Sequence, residues 1–301
     1  MMIKTLAAIV AVASFAVCSA DDVVFGYVVN SDAAENADKL YQVELETGVA
    51  HEIGSLGVQY EDIEGLAFDE AGLLFATDDA TDTLLSVNSG TGSATSIDRS
   101  SNNLRISNPR GDYGLTFTCS NTLWMSSDQE KTLYQVDTIT GEAQLIAETG
   151  DIGLTALAAW GEKLYAINSE GNESLYEVNM NDGSLKLIGK LNTPGFEDAG
   201  MAFDETGVLW AITDGTIISN FEFGPSKIYQ IDIETGSAQF IANTIGGVES
   251  LAIAPPGGCD KGASLATPIP TFNYYGIFAL AFGLFILSLF FKARLKTKRI
   301  H

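Results

Sequence analysis

Basic residues are scarce in this chain. Its 301 residues include 16 Lys and Arg against 39 Asp and Glu, for a formal net charge of −23. Residues 21–273 hold all 39 acidic side chains but only ten Lys and Arg, a net charge of −29. Nucleic acid is thereby excluded as a partner, because phosphate binding is driven by Lys and Arg. A strongly acidic surface suits a salty or divalent-rich exterior, or cationic partners. Histidine is nearly absent too, with His51 in an outer strand and His301 at the end of the chain. A Ser-His-Asp triad would have to use His51, away from any central site. The three cysteines and two histidines form no cluster with metal-binding spacing. No phosphate-cradling glycine loop opens a helix, and no globular helix pattern is visible.

What the chain does contain is a phrase repeated five times: LYQVELETG (40–48), LLSVNSGTG (84–92), LYQVDTITG (133–141), LYEVNMNDG (175–183) and IYQIDIETG (228–236). The terminal glycines are 44, 49, 42 and 53 residues apart. Such a period marks a repeat array, and units of this length built from short strands indicate a β-propeller. A blade is four antiparallel strands, a to d, running outward from a central channel. The phrase reads as strand c and its turn into d.

Two further runs recur around it. Strand a reads EGLAFD (64–69), YGLTFT (113–118), TALAAW (155–160), AGMAFD (199–204) and ESLAIA (249–254). Its small residues suit the crowded channel wall. Strand b reads VVFGYVVNS (23–31), GLLFATDD (72–79), TLWMSSD (122–128), KLYAINS (163–169) and VLWAITD (208–214). One aromatic in each, Phe25, Phe75, Trp124, Tyr165 and Trp210, is expected to fill the wedge between blades, each burial stabilising by roughly 2–3 kcal/mol. The order of pieces predicts an all-β, five-bladed propeller over 21–256, its first blade taking strands b to d from residues 23–55 and strand a from 249–254. Six blades is the alternative, if residues 93–112 hide extra strands; their polar run reads more readily as a loop.

The ends carry different signals. Residues 1–20 have Lys4, an apolar stretch from Leu6 to Val17, and a small-residue site at Cys18-Ser19-Ala20, which together predict a secretory signal peptide. Retention and acylation of Cys18 is the alternative, although Phe15-Ala16-Val17 fits it poorly. Residues 257–273 read as a linker. Residues 274–291 hold no charge, enough at the short end to span a bilayer. The basic tail 292–301 predicts a cytoplasmic end and an outward-facing ectodomain. After export Cys119 and Cys259 remain; a disulfide and two separate thiols both fit the sequence.

The segment ATPIPTFNYYG (266–276), followed by an apolar helix and a basic tail, resembles the IPTL-type C-terminal sorting domain of bacterial exosortase substrates. Ile269, Pro270, Thr271 and Gly276 match its motif, while Phe272 and Asn273-Tyr274-Tyr275 depart from it. The resemblance implies cleavage near the motif by an exosortase-like transpeptidase and transfer to a surface acceptor. Without it, the helix is a membrane anchor.

Loops from d to a and from b to c share one face of a propeller, where ligands usually bind. There the sequence places Asp62, Glu64, Asp112, Asp151, Glu197, Asp198 and Glu249 before inner strands, and Asp78, Asp79, Asp128 and Asp214 at the ends of b strands. Calcium takes six to eight oxygen ligands, so Glu64, Asp112, Asp198 and Glu249 are the candidate metal ligands. The opposite face, with Asp69, Glu70, Asp204 and Glu205, is nearly as acidic, so solvation is the competing explanation. The run DIEGLAFDEAGLLFATDD (62–79) is similar to a segment of phytase-like calcium-dependent propeller hydrolases. That likeness implies a hydrolase, for which the top-face loops offer Arg99, Arg105, Arg110 and Lys131 as bases, Arg105 and Arg110 lying on one long loop beside Asp112. The insertion 213–227 reads as an extra hairpin or a binding lip. The expected role is a binding or scaffold module at the bacterial cell envelope, with a protein or polysaccharide ligand; the alternative is a calcium-dependent phosphoesterase or lactonase-like enzyme.

Overall fold

The computed structural model describes residues 23–33, 38–60, 62–106, 111–215, 217–219 and 222–259. The expected signal peptide, most of the linker, the sorting motif, the membrane helix and the basic tail lie outside these residues. Among the described residues no helix is long and apolar enough to cross a membrane.

Five antiparallel sheets form a five-bladed β-propeller. Blade 2 comprises Ile63–Phe68, Leu74–Asp78, Thr83–Val87 and Ala94–Ser96; blade 3, Leu115–Phe117, Leu123–Ser127, Thr132–Val136 and Ala143–Glu148. Blade 4 comprises Leu154–Trp160, Lys163–Asn168, Ser174–Val178 and Leu185–Lys190; blade 5, Ala199–Phe203, Leu209–Thr213, Pro225–Ile231 and Ala238–Gly246. Blade 1 supplies three strands, Phe25–Val29, Lys39–Glu44 and Ala50–Ser55. Its inner position is taken by the C-terminal segment through the antiparallel bridge Tyr27–Ala252, with N–H···O distances of 2.8 and 2.9 Å. Pairing the two ends of the propeller in one blade closes the ring as the order of repeats predicted and leaves no open inner edge.

The repeated phrase earns its terminal glycine twice over. Gly48, Gly92, Gly141, Gly183 and Gly236 all have φ between 70° and 83°, the left-handed region that a side chain disfavours. Each also abuts neighbouring structure: a Cβ on Gly48 would lie 1.9 Å from the Asn243 carbonyl oxygen, and one on Gly236 2.5 Å from that of Gly189. Within the same turns, the carboxylates of Asp137 and Asp232 accept backbone N–H bonds from residues two and three further on. The phrase therefore builds a turn and a blade-to-blade contact together. On the inner strands, Gly200 approaches the neighbouring backbone so closely that a Cβ would sit 2.3 Å from the amide nitrogen of Leu251.

Strand register corrects one reading. Phe75, Trp124, Tyr165 and Trp210 are each buried and stand opposite the third residue of the repeated phrase: Ser86, Gln135, Glu177 and Gln230. In blade 1 the residue at that point, opposite Gln42, is Tyr27 rather than Phe25. Phe25 is 37 % exposed. Tyr27 instead meets Phe68 edge-on, with ring centroids 5.0 Å apart. The first strand has two aromatics on one face, and only pairing distinguishes them.

Two further features lie outside the four-stranded pattern of the blades. The blade 5 insertion contains a hairpin of Ile217–Ser219 and Glu222–Phe223, as one of its two readings expected. Cys119 and Cys259 form a disulfide, with Cα atoms 5.1 Å apart. The residues Gly257 to Cys259, expected in a linker, belong to the compact propeller unit. No spacing in the sequence could reveal this, because the contact depends on the exit segment crossing the ring.

Candidate functional site

One face of the ring is built from the starts of a strands and the ends of b strands, and the same hydrogen bonds recur around it. The amide of Asp79 donates to the Asp62 carbonyl (2.9 Å), that of Asp128 to Asp112 (3.2 Å), that of Ser169 to Gly153 (3.2 Å) and that of Asp214 to Asp198 (3.4 Å). Carboxylates brace the same loops: Asp78 Oδ1 accepts from the Asp62 amide (3.3 Å) and Asp128 Oδ1 from the Asp112 amide (2.9 Å). The side chains at the channel mouth are thus carried on cross-braced strand ends rather than on loose loops.

The register makes Glu64 and Glu249 equivalent. Each lies three residues before the inner-strand alanine that faces the wedge aromatic, Ala67 opposite Phe75 and Ala252 opposite Tyr27. Likewise, Asp112 and Asp198 each lie four residues before the matching position, Thr116 opposite Trp124 and Ala202 opposite Trp210. All four sequence-predicted metal ligands therefore stand at the mouth.

Their oxygens meet those of neighbours in overlapping groups. Asp32, Asp62 and Glu249 offer one oxygen each within 4.8 Å of one another; so do Asp62, Glu64 and Asp79, and so do Asp198, Asp214 and Glu249. Asp62 and Glu249 are each shared by two groups, so the carboxylates run as a connected arc across blades 2, 1 and 5. Asp112 extends the arc by a side-chain hydrogen-bonding contact with Asp198. Asp32 and Asp79 complete two of the groups. Asp32 was not singled out from sequence, because its blade begins with strand b and gave no inner strand to place it beside.

So many carboxyls cannot all be ionised cheaply at this spacing. Burial pushes Glu64 well above the usual range, assisted by the charges of Glu249, Asp112 and Asp62. Glu249 is only 3 % exposed, and burial raises it likewise, with Asp32 and Asp214 adding repulsion. Asp112 is pushed up to about 10 by burial and by its contact with Asp198. Asp79 rises to about 8 through burial and the charge of Asp62, and Asp214 to about 8 through burial and the charge of Asp32. None of the three ion pairs among the described residues, Lys39–Glu52, Lys186–Glu177 and Arg105–Glu142, touches Glu64, Asp112, Asp198, Asp214 or Glu249.

Hard divalent cations fit this donor set. The oxygens are carboxylate, the groups overlap, and the buried Oδ1 atoms of Asp79 and Asp214 have no hydrogen-bond donor among the described residues. The bases expected for a phosphate substrate are not assembled here. Arg105 is exposed and paired with Glu142 at 3.2 Å, Lys131 donates to the Asp151 carbonyl, and Arg110 lies outside the described residues.

The opposite face uses its acids differently. Asp204 is buried and accepts from the Thr206 and Val208 amides and, at 2.9 Å, from the indole N–H of Trp210. Asp69 accepts from the Leu73 amide at 2.8 Å. Acids that look alike in sequence are turn-builders on one face and a convergent cluster on the other.

Comparison with known proteins adds the fold and little chemistry. Residues 10–150 match the family model described as a repeat of unknown function, DUF6923. No curated protein matches the chain. A solved nidogen/laminin complex is similar at 15% identity and a TM-score of 0.51, over 77% of this chain and 98% of that one. A gluconolactonase from Xanthomonas campestris shares 14% identity at a TM-score of 0.46, over 74% of this chain and 77% of that one. A structural genomics protein of unknown function from Bacteroides thetaiotaomicron shares 16% identity at a TM-score of 0.44; this chain covers 55% of its length. At these identities the likeness shows the propeller fold alone.

Proposed function

We propose that this protein is an exported propeller, anchored or sorted at the bacterial cell envelope through its C-terminal segment, that works as a cation-dependent binding or scaffold module. The observation that carries the reading is the convergence of carboxylates from blades 1, 2 and 5 on one mouth. Asp62, Glu64 and Asp79 on one side, and Asp198, Asp214 and Glu249 on the other, would hold a hard cation of the calcium class. The ion supplies positive charge that replaces protons on these carboxyls and leaves coordination positions for oxygens of an external ligand. An acidic polysaccharide or a protein carboxylate is the class of ligand that such a centre recruits. The Cys119–Cys259 disulfide supports an oxidising compartment, in keeping with export.

A hydrolytic reading rests on Asp112. Asp112 stands at the mouth against Asp198, and burial raises its carboxyl, which makes it the candidate proton donor of such a reaction. The two readings separate in one experiment. Calcium-dependent retention of envelope polysaccharide, without turnover of lactone or phosphoester substrates, supports the binding module; turnover abolished by chelation supports the enzyme. The mass of the mature protein tests the sorting proposal, since transfer removes residues beyond about Thr271 and an anchor keeps them.

A further inference from the structure

Beyond the cation site, the opposite end of the channel has its own construction. After Ile253 the chain crosses the ring as a strap, Ala254–Cys259, on the face where a strands turn into b strands. Gly257 and Gly258 lie against the Trp160 indole: a Cβ on Gly258 would come within 2.8 Å of the ring, and Gly207 abuts the same indole. The strap then reaches Cys119 at the end of the blade 3 inner strand. Beneath it, Phe68, Phe117, Ala159, Phe203 and Ile253, together with Pro256 of the strap, line a cavity of about 20 Å³, room for a single water. The strap is therefore the floor of the channel, at the end opposite the carboxylates.

Apart from the covalent bond, the floor is held by packing on Trp160 and by little hydrogen bonding. Among the described residues one backbone hydrogen bond ties the strap to the blades, from Gly161 N–H to Gly257 O at 3.0 Å. Both cysteine sulfurs lie 3.7–3.8 Å from that carbonyl oxygen, and both cysteines are half-buried. Ring closure, by contrast, is anchored upstream of the strap. The Tyr27–Ala252 pair, the Val29 amide to Ser250 Oγ (3.2 Å) and Ser31 Oγ to Glu249 (2.9 Å) hold the inner strand of blade 1 without help from the disulfide.

We propose that Cys119–Cys259 is a redox latch on the channel floor, opened by a dithiol oxidoreductase or small dithiol of the cell exterior. A thiolate of the dithiol attacks one sulfur of the bond and the other leaves as a thiolate. The second thiol of the reductant then resolves the mixed disulfide. Two electrons and two protons pass to the protein, and the reductant becomes a disulfide. The strap, left with one backbone bond and its packing on Trp160, loosens and opens the channel at the end opposite the carboxylates, while the five blades stay closed.

The test uses the full-length chain, oxidised and after dithiothreitol, with reduction verified by mass. Trp124 and Trp210 are buried, so acrylamide quenching reports chiefly on Trp160. Reduction is expected to raise that quenching and to speed hydrogen exchange of the Gly161 amide about tenfold, with exchange in the blade 1 to blade 5 strands unchanged. Gly258→Ala, which crowds the indole with the disulfide intact, is expected to raise quenching on its own. Unchanged quenching and Gly161 exchange in the fully reduced protein would overturn the latch. So would global loss of protection, because the bond would then hold the fold rather than the strap.

Discussion

Ser31 and Glu249 lie 218 residues apart in the chain, yet the Ser31 hydroxyl donates to Glu249 Oε1 at 2.9 Å. The same hydroxyl oxygen lies 3.1 Å from the Ile63 carbonyl oxygen of blade 2. One side chain thus joins the first strand of the propeller, its last strand and the next blade, at a buried carboxylate of the mouth. Ring closure and the acidic site share this point.

Replacing Ser31 with alanine leaves Glu249 without that donor. Ser31→Ala is expected to destabilise the folded chain by about 1–2 kcal/mol, read from denaturant unfolding. A change confined to the exposed Ser101 should do nothing comparable.

The acidic arc sets the pH dependence. Glu64, Asp79, Asp112, Asp214 and Glu249 all titrate higher in the folded state than in the unfolded chain. The folded state therefore binds more protons between the ordinary carboxylate range and these raised values. Stability is fully present below the ordinary range and is lost as pH rises towards 8 to 10. Without divalent cations, the thermal midpoint should fall steadily from pH 5 to pH 9. A midpoint that rises over this interval would show that the carboxyls are not crowded as described.

Neutralising the arc should uncouple stability from cation. Asp79→Asn and Asp214→Asn remove charges whose buried oxygens lack donors. Each is expected to raise the midpoint of the cation-free protein at pH 8 and to shrink the stabilisation given by calcium. The comparison is two thermal melts per variant, with and without a chelator.

Blade packing predicts a larger effect elsewhere. Trp210 is 1 % exposed, and its indole N–H is bonded to Asp204. Trp210→Ala is expected to cost about 3–5 kcal/mol, whereas Phe25→Ala, at a 37 % exposed ring, should cost far less. Equal losses would restore Phe25 to the wedge that Tyr27 fills.

The fold was readable because its cause is periodic. Turn glycines with left-handed φ, small inner-strand residues and one wedge aromatic per blade recur in sequence at the spacing of the blades, so number and closure follow from counting. Phe25 against Tyr27 was not readable, since register depends on pairing with Gln42 rather than on residue type. The mouth was half legible. Glu64, Asp112, Asp198 and Glu249 precede inner strands and can be placed by topology. Asp204 and Asp69 have the same composition but cap turns, which only hydrogen bonds reveal. Asp32 escaped, and the Cys119–Cys259 bond stayed one of two open readings, because each joins segments from distant parts of the chain.

Calorimetric titration of the full-length chain with calcium at pH 7, repeated in buffers of different ionisation enthalpy, tests the central claim most directly. Carboxyls held protonated by crowding must release protons as the ion binds. The account predicts saturable binding with net proton release, both abolished in an Asp198→Asn, Asp214→Asn double variant that retains its fold. Absence of binding up to millimolar calcium, or binding unchanged in the double variant, would contradict it.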